Sequence, residues 1–292
     1  MKAPGKTSRE LRDLAYVLGG HERQTLDLYL PGKPDRSVPL VLWVHGGGYR
    51  AGSKWSDLGL PHAPPVALVA DGFAVASIGY RLSEHATFPA QIEDCKAAVR
   101  WLRAHAAEYG LDQARFGAWG PSAGGHLVSL LGTSGEVKEL ETLPENAGVS
   151  SRVQAVCDWF GVSDFLLLDS HAHASGGNVM HDAADSPISQ LFGGPIQERR
   201  EAVRRANPMT YVSADAPPFL IVHGARDTTV SVLQSKLLHE ALRKAGVDST
   251  LDIIPDAGHG GEPGGEVFAS PERYEQAREF FIRTLGGDGR RQ

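Results

Sequence analysis

The sequence is poor in cysteine and in long apolar runs. Its 292 residues include two cysteines, Cys95 and Cys157. Two are too few for a disulfide framework, and neither has the spacing of a metal ligand. Cys95 falls in a helical pattern and Cys157 in a strand pattern, so both are expected as buried free thiols. No uninterrupted apolar stretch approaches the ~20 residues that a membrane-spanning helix needs. Residues 1–12 are polar, carry Lys2, Lys6, Arg9 and Arg12, and lack the apolar centre of a signal peptide. As it stands the sequence points to a cytoplasmic protein, with secretion through a removed leader left open. There is no long basic run, and the net charge is −6, so nucleic acid is not an expected partner. Internal repeats and low-complexity segments are absent. No G-x-x-x-x-G-K-[ST] or G-x-G-x-x-G stands in the context of a nucleotide site.

Glycine is abundant, at 34 residues, and 41% of the chain is hydrophobic, enough for the core of one domain over residues 1–292. Residues 24–30 alternate as a half-buried strand that stops at Pro31-Gly32. Short apolar runs at 40–44, 73–78, 114–119, 153–159, 219–223 and 251–254 predict further strands. Helices are predicted at 89–108, after Ser122, at 230–245 (ending at Gly246) and at 271–285. Strands alternating with helices imply an α/β architecture: a mostly parallel sheet with helices on both faces. Residues 160–212 break this rhythm and are expected to form an irregular insertion, a lid or binding loop within the domain.

Gly120-Pro121-Ser122-Ala123-Gly124 fits G-x-S-x-G between a strand pattern and a helix pattern. A serine on such a turn is presented as a nucleophile. Alone the match is weak, because a glycine-rich loop with an ordinary serine gives the same pattern. A serine hydroxyl also needs a base and a group that orients the base. Asp227 follows the strand 219–223, and His259 follows the last strand, in the order Ser, Asp, His. Asp227 taken singly reads equally as a helix cap, and His259 is one of twelve histidines. Together, each at a strand end, the three favour catalysis. Ligands of open α/β sheets bind at that edge. His45-Gly46-Gly47-Gly48 follows the strand 40–44 and can offer backbone N–H groups to a developing oxyanion.

With these residues the chain resembles α/β-hydrolase-fold serine esterases of the hormone-sensitive-lipase-like and BD-FAE (feruloyl and acetyl-xylan esterase-like) families. The likeness is carried by HGGG, by G-x-S-A-G-G, and by residues 19–30, 79–82, 88–96, 186–194 and 217–224. It implies an eight-stranded sheet, Ser122 as nucleophile, His259 as base and Asp227 as its orienter. It also implies an oxyanion hole built from the N–H groups of Gly47, Gly48 and Ala123. One departure is Pro121, where such families often carry a polar residue that anchors the turn from below. Proline fixes φ and drives Gly120 toward an extended conformation, which suits a residue leaving a strand.

The resemblance implies hydrolysis of carboxylic esters of small to medium acyl or hydroxycinnamoyl groups, and no cofactor or metal is expected. The alternative is an amidase or peptidase, formamidase-like or exopeptidase-like. A binding module would normally have lost a triad member. Acetylated sugars, hydroxycinnamoyl esters and synthetic polyesters all stay open, and residues 160–212 are expected to decide among them. Tyr49, Trp55 and Phe160, near the carboxyl edge, are candidates to line the pocket. Trp119 and Trp159 read as core, Arg81 as a structural ion pair, and His126 as no base, since it lies on the helix after Ser122. His171, His173, His181 and Asp182 match no strong zinc spacing. The expected partners are a small-molecule ester and at most a second copy of the chain as a homodimer, with no membrane.

Overall fold

The computed structural model describes residues 9–32, 36–56, 64–135, 137–260 and 262–286. Its centre is one eight-stranded sheet. In chain order the strands are β1 (Arg9–Ala15), β2 (Thr25–Leu30), β3 (Val38–Val44), β4 (Ala74–Ile78), β5 (Leu111–Pro121), β6 (Ala155–Trp159), β7 (Phe219–Gly224) and β8 (Ser249–Ile254). Across the sheet they run β1-β2-β4-β3-β5-β6-β7-β8. The first two pairings, β1 with β2 and β2 with β4, are antiparallel, and all others are parallel. The fold is that of the α/β-hydrolases.

Among the described residues seven helices are six residues or longer: α1 (Ala90–Ala104), α2 (Ala123–Thr133), α3 (Leu168–Ala174), α4 (Pro187–Phe192), α5 (Arg200–Ala206), α6 (Leu233–Lys244) and α7 (Pro271–Leu285). The helix expected over 89–108 breaks at His105 and resumes for one turn, Ala106–Tyr109.

Successive strand residues point to opposite faces, and the two faces are buried differently. Leu40, Leu42 and Val44 of β3 look toward α1, α2 and α6, whose Ile92, Leu127 and Leu238 share that core. Val41 and Trp43 look toward α7, where Phe281 and Leu285 pack beside Trp119. Both cysteines are buried and free, one in each core. Arg81 meets Asp94 of α1 through its Nε and Nη2, at 2.8–3.1 Å.

Strand β1 falls where the sequence reads as a polar terminus. Its Asp13 has φ 55°, and its register with β2 shifts between Leu11 and Leu14. A bulge of this kind breaks the two-residue alternation by which a strand is recognised.

The segment 160–212, expected to be irregular, is largely ordered into short helices. It folds into α3, α4 and α5, and its Phe165, Leu168, Ile188, Leu191, Phe192 and Val203 belong to the same core as α1 and α2. None of the described helices is long and apolar enough to cross a membrane.

Candidate active site

Strand β5 ends and α2 begins within one residue. Ser122 makes that turn with φ 55° and ψ −119°, a conformation costly for a residue with a Cβ and held only by its surroundings. Gly124 is one such constraint: a Cβ there would run into the Val44 carbonyl oxygen. The Ser122 N–H donates to Trp159 O at 2.8 Å. One strand over, Asp158 takes the Ser129 hydroxyl of α2 at 2.7 Å and the Gly161 N–H at 2.9 Å. The polar anchor that Pro121 cannot supply therefore comes from β6. Burial pushes the Asp158 carboxyl up to about 6, against the two hydrogen bonds it receives.

Residues far apart in sequence converge on the Ser122 hydroxyl. It lies 2.9 Å from His259 Nε2, and His259 Nδ1 lies 2.7 Å from Asp227 Oδ2. Burial opposes the charge on Asp227, but hydrogen bonds from His223 and His259 outweigh it and hold the carboxyl down at about 2. A carboxylate of that kind only accepts, so Nδ1 carries the imidazole hydrogen, and Nε2 is free to accept from the serine. Asp227 Oδ1 takes the N–H groups of Thr229 and Val230 at 2.9 and 2.7 Å. Asp227 thus closes its own turn as well as facing His259, but it caps no helix: the next one starts at Leu233, with Val232 at its N-cap.

Glu262 ties the two loops together. Its Oε2 accepts the His259 N–H at 2.9 Å and the Thr228 N–H at 3.1 Å, and its Oε1 accepts both threonine hydroxyls, of Thr228 and Thr229. Burial works against its charge, yet these donors, the His259 N–H foremost, keep the carboxyl below its ordinary value.

The glycine turn after β3 stands beside the serine. Gly47 has φ 114°, and a Cβ there would collide with Ala51 O. Among the described residues no acceptor takes the backbone N–H of Gly47, Gly48 or Ala123. The turn is braced from behind. His45 stacks on Tyr80 with centroids 4.3 Å apart, and its Nδ1 lies 2.6 Å from Gly46 O. Arg23 donates to Tyr80 O and Gly52 O, at 2.8 and 2.7 Å. Burial lowers the His45 imidazole to about 4, so it is neutral at pH 7.

A cavity of about 710 Å³ opens over Ser122 and His259. Its walls are aromatic, from Trp43, Trp159, Phe160 and Phe268, and Gly46 to Gly48 form its edge. The wall beyond His259 comes from Gly260, Gly265, Glu266, Phe268 and Ala269. Of residues 160–212 only Phe160 lines it. Its ring meets His259 at 4.7 Å between centroids.

The other two candidate lining residues lie elsewhere. The positive φ of Tyr49, 63°, turns its side chain into the core, edge-on to His126. Trp55 is 57% exposed, and its indole N–H donates to Asp27 at 2.9 Å. Trp159, read as core, serves core and cavity alike. His126 is buried, with Nε2 2.7 Å from Ala206 O. Among the described residues no group of three or more His, Cys, Asp or Glu side chains could hold a metal ion.

His223, Asp158, Glu262 and Arg23 had not been singled out from the sequence. His223 and Asp158 carry a local signal, each a polar side chain in an otherwise apolar strand, His223 four residues before Asp227.

The BD-FAE family model matches residues 26–242. The chain belongs to the BD-FAE family. The match takes in the glycine turn, Ser122 and Asp227 and stops before His259. Esterase LipC of Mycobacterium tuberculosis (strain ATCC 25618 / H37Rv) is 32% identical over 84% of this chain and 58% of its own length. The chain spans about half the length of the curated relatives it matches. Among solved structures, a truncated form of carbohydrate esterase from gut microbiota superposes with a TM-score of 0.84 at 30% identity. It covers 97% of this BD-FAE chain and 99% of that one. A bifunctional GH43-CE protein of Bacteroides eggerthii gives 0.83 at 33% identity, over 95% of this chain and 38% of that one.

Proposed function

We propose that this protein is a carboxylic ester hydrolase in which Ser122 is the nucleophile, His259 the general base and Asp227 its orienter. The reading is carried by the continuous hydrogen-bonded line from Ser122 Oγ through His259 to Asp227, 2.9 and 2.7 Å, at the floor of an aromatic cavity. The esterase names of its relatives support the same class.

In this mechanism Ser122 Oγ attacks the ester carbonyl carbon as its proton passes to His259 Nε2. The imidazolium is stabilised by the ionised Asp227. The carbonyl oxygen gains charge and is met by the N–H groups of Gly47, Gly48 and Ala123, which have no other acceptor among the described residues; a single donor of this type is typically worth ~10²–10³ in rate. His259 returns the proton to the leaving alcohol. Water, activated by the same imidazole, then attacks the acyl-enzyme and releases the acid. No step requires a cofactor.

The cavity favours an apolar acyl group, and its four aromatic side chains suit one of small to medium size, a flat hydroxycinnamoyl group included. The specificity wall in this reading is Gly260 with Gly265, Glu266, Phe268 and Ala269, and the insertion adds Phe160 to it. Parallel assays of a p-nitrophenyl acetate, a hydroxycinnamoyl ester and an aminoacyl anilide test the class. Ester turnover far above anilide turnover is expected; the reverse order would replace the esterase reading with a peptidase or amidase.

A further inference from the structure

Asp227 is gripped by a second imidazole. His223 is the penultimate residue of β7, is fully buried, and places Nε2 2.8 Å from Val230 O and 3.1 Å from Asp227 Oδ2. That is the carboxylate oxygen that also faces His259. A carbonyl and an ionised carboxylate only accept, so Nε2 carries the hydrogen and shares it between them. On the ring's other side Nδ1 lies 2.6 Å from Ser235 Oγ on α6, whose hydroxyl donates to it. Asp227 thus receives four donors: two backbone N–H groups on Oδ1 and two imidazoles on Oδ2. An apolar side chain at 223 would fill space but leave Val230 O and the Ser235 hydroxyl buried without these partners.

We propose that His223 is a positioning residue for ester hydrolysis: it fixes the direction of Asp227 Oδ2 and takes a share of its charge, setting how firmly the His259 imidazolium is held. The proposal rests on the triad reading above. Other titratable groups face this cluster from separate elements. Asp158 on β6 acts on His223, His181 lies near Asp227, and Glu262 holds the His259 backbone.

The test compares His223→Leu, His223→Gln and Ser235→Ala with the unaltered enzyme by kcat, KM, the pH profile of kcat/KM and thermal melting. Misplacement of the base by a fraction of an ångström to 1 Å can cost up to ~10² in rate. His223→Leu is expected to lose ~10- to 100-fold in kcat with KM within about twofold. The acidic limb of its profile moves to higher pH, because Oδ2 then faces His259 alone. His223→Gln, which restores an N–H near Nε2, recovers most of the loss. Ser235→Ala, which lets the ring turn, falls between.

A His223→Leu enzyme that melts normally with unchanged kcat and limb overturns the proposal, as does equal loss in Leu and Gln variants with the limb unmoved. If His223→Leu does not fold, Ser235→Ala decides, and an unchanged kcat and limb there overturn it. Full activity in Asp227→Asn would sink the triad reading itself, a different outcome from any of these.

Discussion

Ser122, Asp227 and His259 are legible in the sequence because each closes a local pattern, an apolar strand run followed by a turn of small residues. The side chains that hold them are not. Asp158 reads as an interruption in the apolar strand Ala155–Trp159, and only the pairing of β6 with β5 brings it under the serine turn. Glu262 serves His259 through Thr228 and Thr229 as well as through the His259 N–H, and the two threonines are more than thirty residues away. Neighbourhood in sequence misleads for Tyr49 and Trp55, which follow the glycine turn but face Phe165 and Asp27. Trp55→Phe is therefore expected to leave kcat/KM for p-nitrophenyl acetate within about twofold and to cost about 1.5–3 kcal/mol of stability, the usual worth of a hydrogen bond to a charged group. A tenfold rise in KM would return Trp55 to the pocket.

At the scale of elements, β2 follows from its alternation and the six strands from β3 to β8 from apolar runs of the right length. Strand β1 escapes notice because its bulge at Asp13 spoils the alternation. The insertion is visible only as a break in rhythm. Its apolar residues could have faced a ligand or the core, and the choice depends on how α3, α4 and α5 pack. They meet the face of the sheet opposite Trp43 and Trp159, which leaves the cavity to the loop after β8. Phe268 is the large side chain on that loop, buried against Phe160 at 4.4 Å between centroids. Removing it should enlarge the acyl site. For Phe268→Ala the ratio of kcat/KM for a p-nitrophenyl octanoate to that for the acetate is expected to rise, by roughly tenfold if about 1.4 kcal/mol of acyl contact is gained. A fall in both rates with the ratio unchanged would place acyl selection elsewhere.

For the molecule as a whole, the parallel order of β3, β5, β6, β7 and β8 puts the turns after β3, β5, β7 and β8 at one edge, which is why residues from 46 to 262 meet. The buried titratable groups give the whole fold a pH signature. Burial lowers His45 and His126 to about 4, so the unfolded chain binds their protons first as pH falls below ~6.5. Asp158, raised by burial to about 6, acts in the opposite sense, since the folded state binds its proton first. Two protons favouring the unfolded chain against one favouring the folded leave a net of about one from these three groups, and His171, His181 and His239, which burial also lowers, add in the same sense, so stability drops by at least roughly 1 kcal/mol per pH unit between pH 6 and 4.5. Below ~3.8 the loss of the Asp227 carboxylate, held at about 2 in the fold, adds to it. Denaturant melts across this range check the sign; stability that rises on acidification would contradict it.

The central claim is that Ser122 is an activated nucleophile. Incubating the folded enzyme with a fluorophosphonate tests it, because attack by a serine Oγ on phosphorus expels fluoride and leaves a stable adduct. One adduct per chain is expected, mapped by mass spectrometry to the peptide bearing Ser122, with ester hydrolysis lost in step with labelling and no adduct in Ser122→Ala. An unlabelled Ser122 in enzyme that still hydrolyses esters, or an adduct on another residue that abolishes activity, would contradict it.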